Sequence, residues 1–293
     1  MDILSDIKRT FREGSAVTRL IYINLGVFLV IQIIGVVFYL TGKSSILPDL
    51  LSVPSSISEI LKRPWTPVTY MFLHTGFIHL LFNILGLYWF GKLFLYRLDG
   101  SKLLSVYLLG GLSGAVFYVV SYNLFPVFES VNGLLLGASA SVFAILVAIA
   151  FYDPNNEIHL SFIGSFQLKY IALFYVLLSV IGISATNPGG NIAHLGGAFW
   201  GWFYIFQLRK GKDIGAGFVK YLDKIADSIQ NLFKPKTNLK VTFKQTPRDD
   251  YEYNRLKKAE QEEVNRILEK IAKSGYDSLS KIEKELLFRQ GKK

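Results

Sequence analysis

The 293-residue chain has no cysteine. Disulfides, thiolate nucleophiles and zinc–thiolate sites are thereby excluded, and the redox compartment leaves no trace in the sequence. Histidine is scarce, with four in the whole chain, and methionine occurs twice. Charge is thin where it matters most: between residues 20 and 208, Asp, Glu, Lys and Arg are rare. What fills that space is apolar. Hydrophobic residues make up 51% of the chain against 18% charged, and mean hydropathy is +0.34, well above that of a soluble domain of this length. The net charge of +10 sits mostly on the C-terminal tail, where it can face anionic lipid. No basic stretch carries a nucleic-acid motif, so no nucleic-acid partner is expected.

Six apolar segments stand out, over residues 20–40, 77–95, 103–125, about 134–152, 170–183 and 192–208. A membrane span needs roughly 20 apolar residues, with about 17 as the lower limit, so the fifth is short. The first is too long for a cleaved signal and lacks a small-residue cleavage site at its end. Lys8, Arg9, Arg12 and Arg19 precede span one, and Lys92, Arg97 and Lys102 lie between two and three. Lys169 precedes five, and Arg209, Lys210 and Lys212 follow six, whereas the loops after spans three and five have no Lys or Arg. Positive residues mark the cytoplasmic side, so both termini are expected there, with Lys43, Lys62 and Arg63 as the exception.

The expected organisation is a basic cytosolic segment over 1–19, a six-helix core over 20–208 and an amphipathic juxtamembrane segment over 209–235. A Pro-broken linker follows over 236–254, then a charged helical hairpin tail over 255–293. In the juxtamembrane segment Ile214, Phe218, Leu222, Ile225, Ile229 and Leu232 recur at helical spacing among Lys and Asp, the pattern of a helix lying on a membrane surface. The tail reads as two helices, 255–273 and 279–288, broken at "SGYDS", with a solvated and non-catalytic role.

Ionisable residues inside a membrane domain are functional candidates. Of the four histidines His74, His79, His159 and His194, the second stands four residues before Asn83, which puts both on one helix face. Alone, that pair fits interhelical hydrogen-bond glue as well as function. His194 lies one turn before Gly197 and two before Gly201, while span four offers Ala140, Ala144 and Ala148 at the same spacing. Small-residue stripes let two helix backbones approach closely, which would bring His194 to Ser139. A hydroxyl beside an imidazole is an activated nucleophile. No carboxylate is at hand, so the pair would be a dyad. The 14 residues from Ser139 to Tyr152 rise about 21 Å against a hydrocarbon core of about 30 Å, which puts the serine below the outer surface. Gly137 and Ala138 can turn tightly into a helix whose free N–H groups, with His79 and Asn83, suit an oxyanion. Ser141 is a weaker nucleophile candidate, turned about 200° away.

The ordered set H-x-x-x-N in span two, G-x-S at the mouth of span four and A-H-x-x-G in span six resembles the rhomboid intramembrane serine proteases. The resemblance covers nearly the whole membrane core. It implies an all-α polytopic membrane protein, a six-transmembrane-helix rhomboid-like bundle with a cytosolic C-terminal helical tail, in a bacterial cytoplasmic membrane. By the same resemblance Ser139 is the nucleophile and His194 the general base, with His79, Asn83 and the Ser139 N–H holding the oxyanion. Gly197 and Gly201 match the family's close-packing glycines, facing Ala140 and Ala144. Trp65 is similar to the tryptophan of the family's first outer loop, and His159 falls in a cytoplasmic link. Ala140 replaces the usual glycine after the nucleophile, Phe143 stands where many relatives have tyrosine, and Thr66 where many have arginine. The implied activity is cleavage of single-span or polytopic membrane-protein substrates, with no cofactor or metal. The rival is a rhomboid-like pseudoenzyme that binds transmembrane helices without cutting; a channel or transporter fits less well, as the spans show no internal repeat and no central charge.

Overall fold

The computed structural model describes residues 3–160, 164–185, 187–233, 250–280 and 282–284. The chain divides into two units, Met1–Phe233 and Lys234–Lys293. In the first, helix α1 (Ile3–Glu13) leads into α2 (Ala16–Leu40). Ser15 starts α2 as its N-cap, accepting a hydrogen bond from the Thr18 N–H at 3.2 Å. A layer of short elements follows: α3 (Leu47–Leu51), β1 (Val53–Pro54), α4 (Ile57–Lys62) and α5 (Thr66–Thr69). Then come the long helices α6 (Phe77–Arg97) and α7 (Gly100–Leu124), strand β2 (Leu134–Leu135) and α8 (Ser139–Tyr152). Strands β3 (Glu157–Leu160) and β4 (Gly164–Gln167) pair antiparallel before α9 (Leu168–Gly182), α10 (Pro188–Arg209) and α11 (Ala216–Phe233).

Helix α8 is the centre of this unit. Nine of its fourteen residues are buried, among them Ala140, Ala144, Ile145 and Ala148, and α7, α10 and α6 pack around it. On the periphery, α2, α6 and α9 present Ile33, Phe82, Phe174 and Ile181 outward, large apolar side chains more than half exposed. Faces of that kind are suited to lipid rather than water. By length and composition α2, α6 and α7 can each cross a membrane, while α8 and α9 are shorter apolar helices. Helix α10 has the length, at 22 residues, but its five glycines, Asn191 and His194 lower its hydropathy.

Two features differ from the expectation of an all-helical chain with a fourth segment from about 134. Leu134 and Leu135 are not helical: they pair antiparallel with Pro54 and Val53, and α8 starts only at Ser139. Gly137 explains the break, since its φ of +116° cannot continue a right-handed helix. His159, expected in a plain link, lies in β3, its ring bonded to the Ser165 hydroxyl across the strand pair.

The layer after α2 is tied together by its own charges. Arg63 donates to the Glu59 carboxylate at 2.6 Å and to the Asp49 carbonyl at 2.7 Å, and Lys62 reaches the same Glu59 at 2.8 Å. The hydrogen bonds from Lys62 and then Arg63 hold the Glu59 carboxyl below its ordinary range. Thr66, buried where an arginine was the comparison, donates to the Arg63 carbonyl at 2.8 Å, and Trp65 donates through its indole N–H to Leu50 at 2.9 Å.

In the second unit α12 (Asp250–Ser274) ends at Gly275 and is followed by a single turn, Tyr276–Ser278. The expected linker over 236–254 lies outside the described residues up to position 249, and positions 250–254 are helical rather than linker, the first turn of α12. Of the second tail helix, expected over 279–288, positions 281 and 285–288 lie outside them. Ser280 and Glu283 form a capping box: the Ser280 N–H donates to Glu283 Oε2 at 2.7 Å and the Glu283 N–H to Ser280 Oγ at 3.3 Å. Lys270 reaches Glu283 from α12 at 2.9 Å. The Ser280 backbone bond first, then Lys270, hold the Glu283 carboxyl at about 2, below its ordinary value of 4.5. A depressed carboxyl contributes stability that is present above about 4.5 and lost as pH falls toward about 2. Amide-exchange protection over residues 276–284 is therefore expected to fall across that window, and Glu283→Gln to flatten the dependence.

Candidate active site

The site rests on a contact between two backbones. A methyl group on Gly197 would run into the Ala140 carbonyl oxygen, and one on Gly201 into the Ala144 carbonyl and the Ala148 nitrogen, so α10 lies directly on α8. On the third side a methyl at Gly114 of α7 would meet the Ala140 methyl at 2.6 Å. Three helices meet around Ala140 at a separation only small residues permit.

One turn before Gly197, His194 reaches the first residue of α8. Its Nε2 lies 2.7 Å from Ser139 Oγ. Phe143, one turn into α8, stacks on the imidazole with centroids 4.3 Å apart and planes 12° off parallel. The ring that replaces tyrosine thus still covers the histidine. The other ring nitrogen, Nδ1, lies 3.3 Å from Ser179 Oγ on α9.

The approach to Ser139 is held from several sides. Strand β1 pairs with β2, the Ser55 N–H donates to the Gly133 carbonyl at 3.0 Å, and Asn123 of α7 donates to the Ser55 carbonyl at 2.8 Å. Further along, the Gly137 N–H donates to the Tyr70 carbonyl at 2.9 Å, while the Tyr70 hydroxyl donates to Gly111 of α7 at 2.6 Å. The His79 ring lies against Gly137, so close that a methyl there would meet its Cε1 at 2.6 Å. Gly137 is required twice, by its backbone angle and by that ring. Helix α8 then begins with no side-chain cap of its own, and its first N–H groups have no carbonyl one turn back. The Ala138 N–H, just ahead, is taken by His74 Nε2 at 3.4 Å.

Of the residues read from the sequence, the structure brings Ser139 and His194 into hydrogen-bond contact and sets His79 beside the turn that carries Ser139. Asn83 is buried and donates to the His79 carbonyl at 2.8 Å within α6, which uses one of its two amide hydrogens. Ser141 is fully buried and faces Gly111 of α7, away from His194. Two participants were not singled out from the sequence. His74 carried a signal, being one of four histidines, but its bond to a backbone N–H 64 positions away is a tertiary fact. Ser179, a lone serine in an apolar run, carried almost none.

Residues 61–211, just over half of the chain, match the Rhomboid domain, and residues 249–293 match a family of unknown function (DUF6576). The chain is 27% identical over 212 residues to RHOMBOID-like protein 12, mitochondrial, of Arabidopsis thaliana, covering 68% of this chain and 60% of that one. It is 25% identical over 150 residues to RHOMBOID-like protein 7 of the same plant, covering 50% and 44%. With Presenilin-associated rhomboid-like protein A, mitochondrial, of Danio rerio, it shares 30% identity over 143 residues, covering 46% and 35%. In each case it spans less than two thirds of the relative's length. Taken with the apolar helices and the match across the site-bearing elements, these similarities place the chain in the rhomboid family of membrane proteins.

Proposed function

We propose that this protein is an intramembrane serine endopeptidase that cleaves transmembrane segments of other membrane proteins with a Ser139–His194 dyad. The observation that carries the reading is the 2.7 Å approach of His194 Nε2 to Ser139 Oγ on two closely packed helices. Ser139 Oγ attacks the scissile carbonyl as Nε2 takes its proton, and the imidazolium returns that proton to the leaving amine. Water then hydrolyses the acyl-serine with the same nitrogen as base. The oxyanion is held by the Ser139 N–H at the free helix start and by the His79 and Asn83 side chains. No cofactor enters the scheme.

In this reading α2 and α6 to α10 are six membrane spans around the site, with both termini on the cytoplasmic side of a bacterial cytoplasmic membrane. Residues 209–235 lie along its surface, the stretch up to position 249 links, and α12 with the residues after it forms a cytosolic tail. Substrates are single-span or polytopic membrane proteins, whose helices must unwind locally to expose a carbonyl.

The test is cleavage of a single-span substrate by the purified protein in liposomes, beside Ser139→Ala. Cleavage that the variant lacks is the expected result. A parent that binds such substrates without cutting them would replace this reading with that of a helix-binding pseudoenzyme.

A further inference from the structure

Helix α9 is only lightly embedded: Leu168, Ala172 and Ser179 are its buried residues, and Leu173, Leu177 and Val180 point outward. That one of its three buried positions is a hydroxyl needs a reason, because an unpartnered hydroxyl in such surroundings is costly. Ser179 Oγ has two partners. It donates to the Tyr175 carbonyl one turn back at 3.1 Å, and it lies 3.3 Å from His194 Nδ1. A serine hydroxyl has a single proton and a carbonyl can only accept. With that proton committed to Tyr175, the remaining bond has one sense: Nδ1–H donates and Ser179 accepts.

We propose that Ser179 is a positioning residue that fixes the His194 imidazole in its Nδ1–H tautomer and so leaves the Nε2 lone pair for Ser139. The inference rests on the dyad reading above and adds a third member to it. The hydrogen bonds then run in one direction, from Ser139 O–H to Nε2 and from Nδ1–H through Ser179 to the Tyr175 carbonyl. The opposite tautomer would place an N–H against Ser139 and could not accept its proton. When Nε2 becomes protonated, Ser179 still accepts from Nδ1–H, so the bond survives and strengthens as the ring charges. A neutral hydroxyl does here, more weakly, what a carboxylate does in a triad.

The experiment pairs turnover with the imidazole nitrogen-15 resonances of His194 in the full-length protein, for the parent, Ser179→Ala and Ser179→Thr. Ser179→Ala is expected to lower kcat about tenfold with KM unchanged, the size of one lost hydrogen bond to a charging group. Its resonances are expected to move from a single Nδ1–H tautomer to a mixture. Ser179→Thr, which keeps the hydroxyl, is expected to restore both. The proposal is overturned if Ser179→Ala keeps the parent resonances, whether turnover is unchanged or falls only in step with the melting temperature. Should the parent prove inactive, the protease reading fails, and the nitrogen resonances still decide whether Ser179 sets the tautomer.

Discussion

Ser139→Ala, His194→Ala and the double variant are expected to be equally inactive, each on the order of 10⁴-fold or more below the parent in turnover of a single-span substrate. In the proposed mechanism Oγ and Nε2, 2.7 Å apart, perform one proton-coupled step between them. Without the imidazole the hydroxyl stays protonated at the moment of attack; without the hydroxyl the imidazole has nothing to activate. A 10⁴-fold loss corresponds to about 5.5 kcal/mol of transition-state stabilisation. Independent contributions would sum to about twice that in the double variant, whereas a unit that acts together loses it once. Measured rates of the four proteins decide between these. A double variant far below either single one would show separate roles and sink the dyad.

Gly197→Val is expected to destabilise the protein by about 3 kcal/mol, the upper end of the usual cost of overpacking, and to abolish cleavage as well. The added side chain would be driven into the Ala140 carbonyl, which is backbone and cannot swing aside. Relief requires α10 to move off α8. Because His194 sits one turn above on α10 and Ser139 one residue before Ala140 on α8, that movement separates the reacting atoms directly. Glycine on the helix surface makes the control: Gly35 of α2 has nothing near its Cβ position, so Gly35→Val is expected to change neither property appreciably. Thermal melting in detergent together with turnover checks both. Unaltered cleavage by Gly197→Val would mean that the backbone contact does not set the site.

The two interlocking stripes were legible because close packing selects residue size at a fixed spacing, so Gly197 and Gly201 against Ala140 and Ala144 are written in the residues themselves. The long helices were legible for a similar reason: apolar length is a local property, and the ends of α2, α6 and α7 fall within a few residues of the expected segments. Leu134 and Leu135 were not. They are as apolar as the helix they precede, and only pairing with Val53 and Pro54, some 80 positions earlier, shows them as strand. His74 and Ser179 escaped for the same cause. Each acts on a group that folding brings to it, and nothing in their own neighbourhoods announces the partner.

The lower end of α8 has a consequence for the upper one. Asp153, just past its last turn, is held by Arg97 at 2.6 Å, and Arg209 of α10 donates to the Phe151 carbonyl at 2.7 Å while lying over that residue's ring. The helix is fastened at its C-terminal carbonyls, and its 14 residues are a rod of about 21 Å with Ser139 at the tip. In the proposed orientation the height of the cut is gauged from the cytoplasmic face. Bilayers of different thickness then change the distance from Ser139 to the outer headgroups while leaving its distance to the inner ones fixed. Under the proposed function a thicker membrane buries the tip more deeply and moves the scissile bond inward along the substrate helix.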